Sequence, residues 1–179
     1  MLRLWLLRHA KSAWDDPGLD DFARSLAPRG KKACRRLARH LAERAVRPDL
    51  VLCSPAQRTR QTWERLAKRL SSGMGGDIEA RFDQGLYLAE ANALLAILRT
   101  TPTNCRELML IGHNPGLEDL AERLAGSAAG DALERLRGKY PTGGLAEINF
   151  PLKRWADLSP KSGFLASFVT PAMLDSETD

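Results

Sequence analysis

The stretch "LVLCSPAQRTRQTWERLAKRL", Leu50 to Leu70, joins a strand to a helix with almost nothing between them. Leu50 to Cys53 is a short apolar run suited to a buried strand. Ser54-Pro55 follows; serine is a good N-cap, and proline fits the first helical turn. From Pro55 to Leu70 the side chains of Thr59, Trp63, Leu66, Ala67 and Leu70 recur at helical spacing and make one face. Arg58 falls in the first turn, just beyond the carboxyl end of the strand.

The same alternation runs outward in both directions. Upstream, Leu2 to Leu7, with Trp5, is a second apolar strand, and it ends abruptly in Arg8-His9. The polar stretch "KSAWDDPGLDDFARSLAPRG" contains an Asp-Pro-Gly turn signal and reads as a long loop. A helix from Pro28 to Ala45 follows, with Ala33, Leu37, Ala38, Leu41 and Ala45 on its apolar side. Downstream, "SSGMGGD" is a flexible connection and "IEARF" a strand. Ala89 to Leu98 is a helix with Leu94, Leu95 and Leu98 inward. "ELMLIGHNPG" is a strand with a turn at its end, and Leu117, Leu120, Ala121 and Leu124 continue as a helix. "GLAEINF" and "GFLASFV" are late strands with Trp155 between them. This pattern predicts a three-layer α/β domain with a largely parallel central sheet flanked by helices. One domain is expected over residues 1–172, with 173–179 as a disordered acidic tail.

Composition narrows the classes. The chain has 179 residues, 44% apolar and 27% charged, as ordinary globular proteins do. No apolar run is long enough to span a bilayer and no secretory leader pattern opens the sequence, so a soluble cytoplasmic protein is expected. Cys34, Cys53 and Cys105 are far apart and in no metal-binding spacing; they read as core residues in a reducing compartment. The net charge is +5, and Arg29 to Arg47 is densely basic. That segment is either an anion- or nucleic-acid-binding face or the solvated side of an amphipathic helix, and the second is the ordinary case. No aromatic residues interleave with it as a single-strand binder requires.

In α/β sheets ligands bind beyond the carboxyl ends of the strands. Three of those ends carry chemistry: Arg8-His9, Ser54 with Arg58, and His113. Arginine forks match phosphate oxygens, and a helix N-terminus favours an anion. Ser12 can add a hydroxyl and Asn114 a backbone donor, so a phosphoryl group is the natural guest. A neutral imidazole is a nucleophile toward phosphorus. Neighbouring arginines disfavour the imidazolium, and a backbone carbonyl in the long loop is expected to fix the tautomer.

"LLRHAKS", "LVLCSPAQRTRQT" and "LMLIGHNPGL" resemble the histidine phosphatase superfamily, the phosphoglycerate-mutase-like fold. Ala10 in "RHAKS", the "LAPRGKKA" segment and the short length are most similar to SixA-type phosphohistidine phosphatases. The resemblance implies that His9 is transiently phosphorylated and that Arg8, Arg58 and His113 complete the phosphate pocket. It implies no metal or organic cofactor. Many superfamily members carry a general acid after the third strand, with an insertion covering the site. Here the nearest acids are Asp83 and Glu90, and the ordinary readings are a turn aspartate and a first-turn helix glutamate. The missing acid and lid suit a labile P–N bond and a phosphorylated protein, of phosphotransfer-domain type, from a signalling relay or a sugar phosphotransfer system. A small-molecule phosphomonoesterase and a non-catalytic phosphoprotein-binding module are the alternatives; nucleic-acid and membrane partners are not expected, and a monomer is.

The rest of the loop reads more plainly. Lys11 either approaches a phosphate or is solvated, the second being the ordinary case; Asp15 and Asp16 form the turn, and Asp21 pairs with Arg24 to pin the loop. Trp14 is either a rim contact or core, and His40 lies on the surface of the basic helix.

Overall fold

The computed structural model describes residues 1–72 and 76–178. The connection read as flexible lies partly outside these residues. The strands are β1 (Leu2–Arg8), β2 (Leu50–Cys53), β3 (Ala80–Phe82), β4 (Glu107–Gly112), β5 (Ala125–Ala128), β6 (Leu145–Phe150) and β7 (Gly163–Val169). The helices are α1 (Pro28–Glu43), α2 (Gln57–Ser72), α3 (Ala91–Arg99), α4 (Gly116–Leu124) and α5 (Ala132–Gly138). The sheet runs β3-β2-β4-β1-β6-β7-β5. β3, β2, β4 and β1 are mutually parallel; β6 is antiparallel to β1, β7 is antiparallel to β6, and β5 is parallel to β7.

Alternation along β1 builds two cores. Leu2, Leu4 and Leu6 face the side covered by α3, α4 and α5, where Leu98, Leu120 and Leu136 are buried. Trp5 and Leu7 face the other side with Cys34, Leu37 and Leu41 of α1 and Trp63 and Leu66 of α2. Successive strand side chains point to opposite faces, so a central strand covered on both faces must be apolar at nearly every position. The three-layer α/β architecture follows from that pattern. Among the described residues no helix is long and apolar enough to cross a membrane, and the three cysteines are free and buried.

Three local readings change. α2 starts at Gln57 rather than Pro55, with the Ala56 N–H donating to Ser54 Oγ at 3.4 Å just before it. β5 and α5 were not legible. The acidic end, expected to be disordered from residue 173, carries a 3-10 turn over Met173–Thr178. Leu174 packs into the core beneath α1, and Asp175 pairs with Arg36.

Candidate active site

The carboxyl ends of β1, β2 and β4 bring Arg8, His9, Ser54, Arg58 and His113 to one rim of the sheet. Parallel pairing enforces this: Arg8 lies opposite Gly112, one residue before His113, and Cys53 lies opposite Ile111. His9, Arg58, His113 and Ser54 are buried, and the first three line a cleft of about 220 Å³.

His9 is locked in one tautomer. Its Nδ1–H donates to the carbonyl of Ala10 at 2.8 Å, a backbone carbonyl as expected, though of the residue just before the long loop. The lone pair of Nε2 therefore faces the cleft, where Arg58 Nε donates to it at 3.3 Å. Arg58 also donates through Nη2 to His113 Nδ1 at 3.2 Å. Because that nitrogen accepts, the neutral His113 ring carries its proton on Nε2 and donates it to Ser54 Oγ at 2.7 Å. The two rings stand 5.3 Å apart, centroid to centroid.

Both histidines are held neutral. Burial is the main cause for His9, with the Arg58, Arg8 and Arg24 charges adding to it against the Ala10 hydrogen bond, and its pKa falls to about 4. Burial again leads for His113, followed by His9 and Arg58, and its pKa falls to about 3. The sequence pointed to the arginines; desolvation is the larger effect.

Arg8 is fixed from the far half of the sheet. Its Nη1 donates to the carbonyl of Tyr140 at 2.7 Å, which also accepts from Asn114 Nδ2 at 3.1 Å. Tyr140 itself is buried and donates its hydroxyl to the Leu6 carbonyl at 2.6 Å. Gly143 donates its backbone N–H to the carbonyls of Arg8 and His9, both at 3.1 Å. It does so at φ +77°, where a Cβ would lie 2.7 Å from Pro171 Cγ, so glycine is required there.

The long loop returns a carboxylate to the cleft. Asp21 pairs with Arg24 at 2.8 Å as expected, but its other oxygen meets Arg58 Nη2 at 3.0 Å and accepts from Tyr87 Oη at 2.6 Å. Burial pushes the Asp21 carboxyl up, and the Tyr87 hydrogen bond together with Arg58 and Arg24 outweighs it, leaving the group below its ordinary value. Tyr87 stands edge-on to the His113 ring.

Ser12, Lys11 and Asn114 all line the cleft. Ser12 is buried and accepts from Arg24 at 2.5 Å, while Lys11 is exposed. Trp14 is a rim residue, exposed, with the Arg24 guanidinium stacked on its ring. Asp16 accepts from Gly18 in the predicted turn. His40 is half-buried on α1 and does not line the cleft. Asp83 and Glu90 also lie outside its lining: Asp83 caps the 3-10 turn at Gly85, and Glu90 precedes α3. Glu118 accepts from Asn114 Nδ2 at 2.8 Å and is likewise not a lining residue. Among the described residues Asp21 alone brings a carboxylate to the cleft, and no group of His, Cys, Asp and Glu could hold a metal ion.

Known proteins share this arrangement's framework. Residues 4–86 match the family model of the histidine phosphatase superfamily (branch 1). An uncharacterized protein of Mycobacterium tuberculosis is 35% identical over 167 residues, covering 92% of this chain and 99% of the relative. A crystal structure provisionally named phosphohistidine phosphatase SixA, from Agrobacterium tumefaciens, is 33% identical with a TM-score of 0.78, over 95% of this chain and 98% of that one. A second such SixA structure, from Nakamurella multipartitia, is 25% identical with a TM-score of 0.80, over 95% and 96%. With the fold, the strand-end residues and these relatives in agreement, the chain belongs to the histidine phosphatase superfamily.

Proposed function

We propose that the chain is a protein phosphohistidine phosphatase that works through a phospho-His9 intermediate. One observation carries the reading: His9 is anchored through Nδ1 to Ala10, and its Nε2 lone pair faces a cleft of arginines. The superfamily supplies the coarser activity, a phosphatase of the hydrolase class, and the SixA relatives favour the finer one.

In the first half-reaction His9 Nε2 attacks phosphorus. A new N–P bond forms, the substrate's P–N bond breaks, and the electron pair leaves with the substrate imidazole, which takes a proton from solvent. Arg8 and Arg58 neutralise the phosphoryl oxygens as charge redistributes. An arriving phosphate offsets the arginine charge at His113 and raises its pKa, so Nδ1 can take a proton and donate to a phosphate oxygen. In the second half-reaction water attacks phosphorus, the N–P bond to His9 breaks with its electron pair returning to Nε2, the water's proton passes to a phosphate oxygen, and hydrogen phosphate leaves.

The leaving group decides between substrates. An alkoxide needs a proton donor, and Asp21, which among the described residues alone brings a carboxylate to the cleft, is held ionised. An imidazole leaving group needs far less help. The test is intact mass at mildly alkaline pH after mixing with a phosphorylated histidine-containing phosphotransfer protein, beside His9→Ala. A transient added phosphate on the wild type alone, with phosphate released, supports the reading. Absence of adduct and release, with turnover of sugar phosphates, overturns it.

A further inference from the structure

A second groove, of about 370 Å³, opens beside the cleft and shares Arg8, Lys11 and Thr142 with it. Arg29 of α1 and Lys139, before Tyr140, complete its charged lining, and among the described residues no carboxylate lines it. The charge there is uncompensated: among the described residues none of Lys11, Arg29 and Lys139 has a side-chain partner. Other cations of the basic segment are occupied within the chain. Arg36 pairs with Asp175, Arg39 with Glu43 and Arg44 with Glu147. The basic segment thus contains arginines that pair within the chain, Arg35, which faces a separate groove with Arg65, Lys68 and Arg69, and Arg29, which faces the groove that adjoins the cleft of the nucleophile.

On the cleft's own rim, Trp14 is 70% exposed and Leu88 54% exposed. Exposed large apolar side chains at a phosphate site offer little to a small sugar phosphate and suit a protein surface. Resting on the phosphohistidine reading above, we propose that the Lys11–Arg29–Lys139 groove docks an acidic segment of the phosphorylated protein, next to the phosphohistidine it presents. Complementary charge of this kind speeds encounter and selects partners.

Phosphohistidine peptides flanked on one side by aspartates, glutamines or lysines test this. At low salt the wild type is expected to favour the aspartate peptide over the glutamine peptide in kcat/KM by about tenfold. The R29E/K139E variant changes two exposed residues outside the phosphate cleft. It is expected to lose that preference, turn over the lysine peptide better than the wild type does, and keep its rate on the glutamine peptide. Equal turnover of all three peptides by the wild type overturns the docking site and leaves the phosphatase reading standing. A preference that survives in R29E/K139E, or an equal loss on every peptide, also overturns the docking site. No turnover of any phosphohistidine peptide, with phosphate released from sugar phosphates, overturns the phosphohistidine reading itself, and the docking site with it.

Discussion

Two histidines and one aspartate share a single guanidinium. Arg58 donates to His9, to His113 and to both the carbonyl and the carboxylate of Asp21. An incoming phosphate must displace the carboxylate's claim, because two anions cannot use one fork at close range without repulsion. Asp21→Asn removes the charge and leaves the main-chain contact that holds Arg58 in place. Inorganic phosphate is therefore expected to inhibit Asp21→Asn about fivefold more strongly than the wild type, which corresponds to ~1 kcal/mol of repulsion at about 4 Å in a water-like dielectric. The competitive inhibition constant measures it; weaker inhibition would show that the carboxylate chiefly positions Arg58. Arg8, His9 and His113 were legible because each sits at or just after the end of an apolar strand, and Arg58 because it opens the helix that follows one. The reach of Asp21 and Tyr87 was not, since loop paths leave no periodicity to read. Tyr140 gave no signal either, because its contribution is a carbonyl, which every residue type owns.

Elements hold the nucleophile by direct backbone contact. In the first turn of α1, Gly30 packs so tightly on the loop after β1 that an added Cβ would lie 2.1 Å from the carbonyl oxygen of Lys11. That carbonyl also accepts from Ala27 at 2.9 Å, so it is held from two sides. Alanine gains up to ~1 kcal/mol in helix propensity, but a clash with backbone has no flexible end to relax. Gly30→Ala is expected to destabilise by about 1–3 kcal/mol net, read from the urea midpoint. It should also lower kcat, since Lys11 lies two residues from His9. Strands β1, β2, β4, β6 and β7 were readable from their apolar runs. "AGSA", which forms β5, has neither branched nor aromatic residues and depends on pairing with β7. Helix α5, at seven residues, is too short for a periodic face to stand out. The cap at Ser54 was legible, since its hydroxyl accepts from the Ala56 N–H at 3.4 Å; that the same oxygen also accepts from His113 was not, because a tertiary partner leaves no local signal.

At the scale of the whole molecule, the buried histidines link stability to pH. Their ordinary value is 6.5, and in the fold they fall to about 4 and about 3. Below pH 6.5 the unfolded chain therefore binds protons that the folded chain refuses, and stability falls as pH falls. The contribution is complete above 6.5 and erodes down to about 4 for His9 and about 3 for His113. Each histidine adds a slope of up to about 1.4 kcal/mol per pH unit in that window. Urea midpoints across it should decline on acidification, and less steeply in His113→Asn; parallel declines would deny His113 its share.

The position of β1 in the sheet has a consequence for synthesis. It lies between β4 and β6, so Leu7 must wait for Ile111 on one side and Leu145 on the other. The strand bearing the nucleophile leaves the ribosome ahead of both its neighbours, with two apolar faces and two open edges. Such edges invite pairing with other chains until they are filled. Arg8 at its end and Lys11 just beyond place charge beside this sticky segment, the arrangement expected to disfavour such pairing until β6 arrives to enclose it.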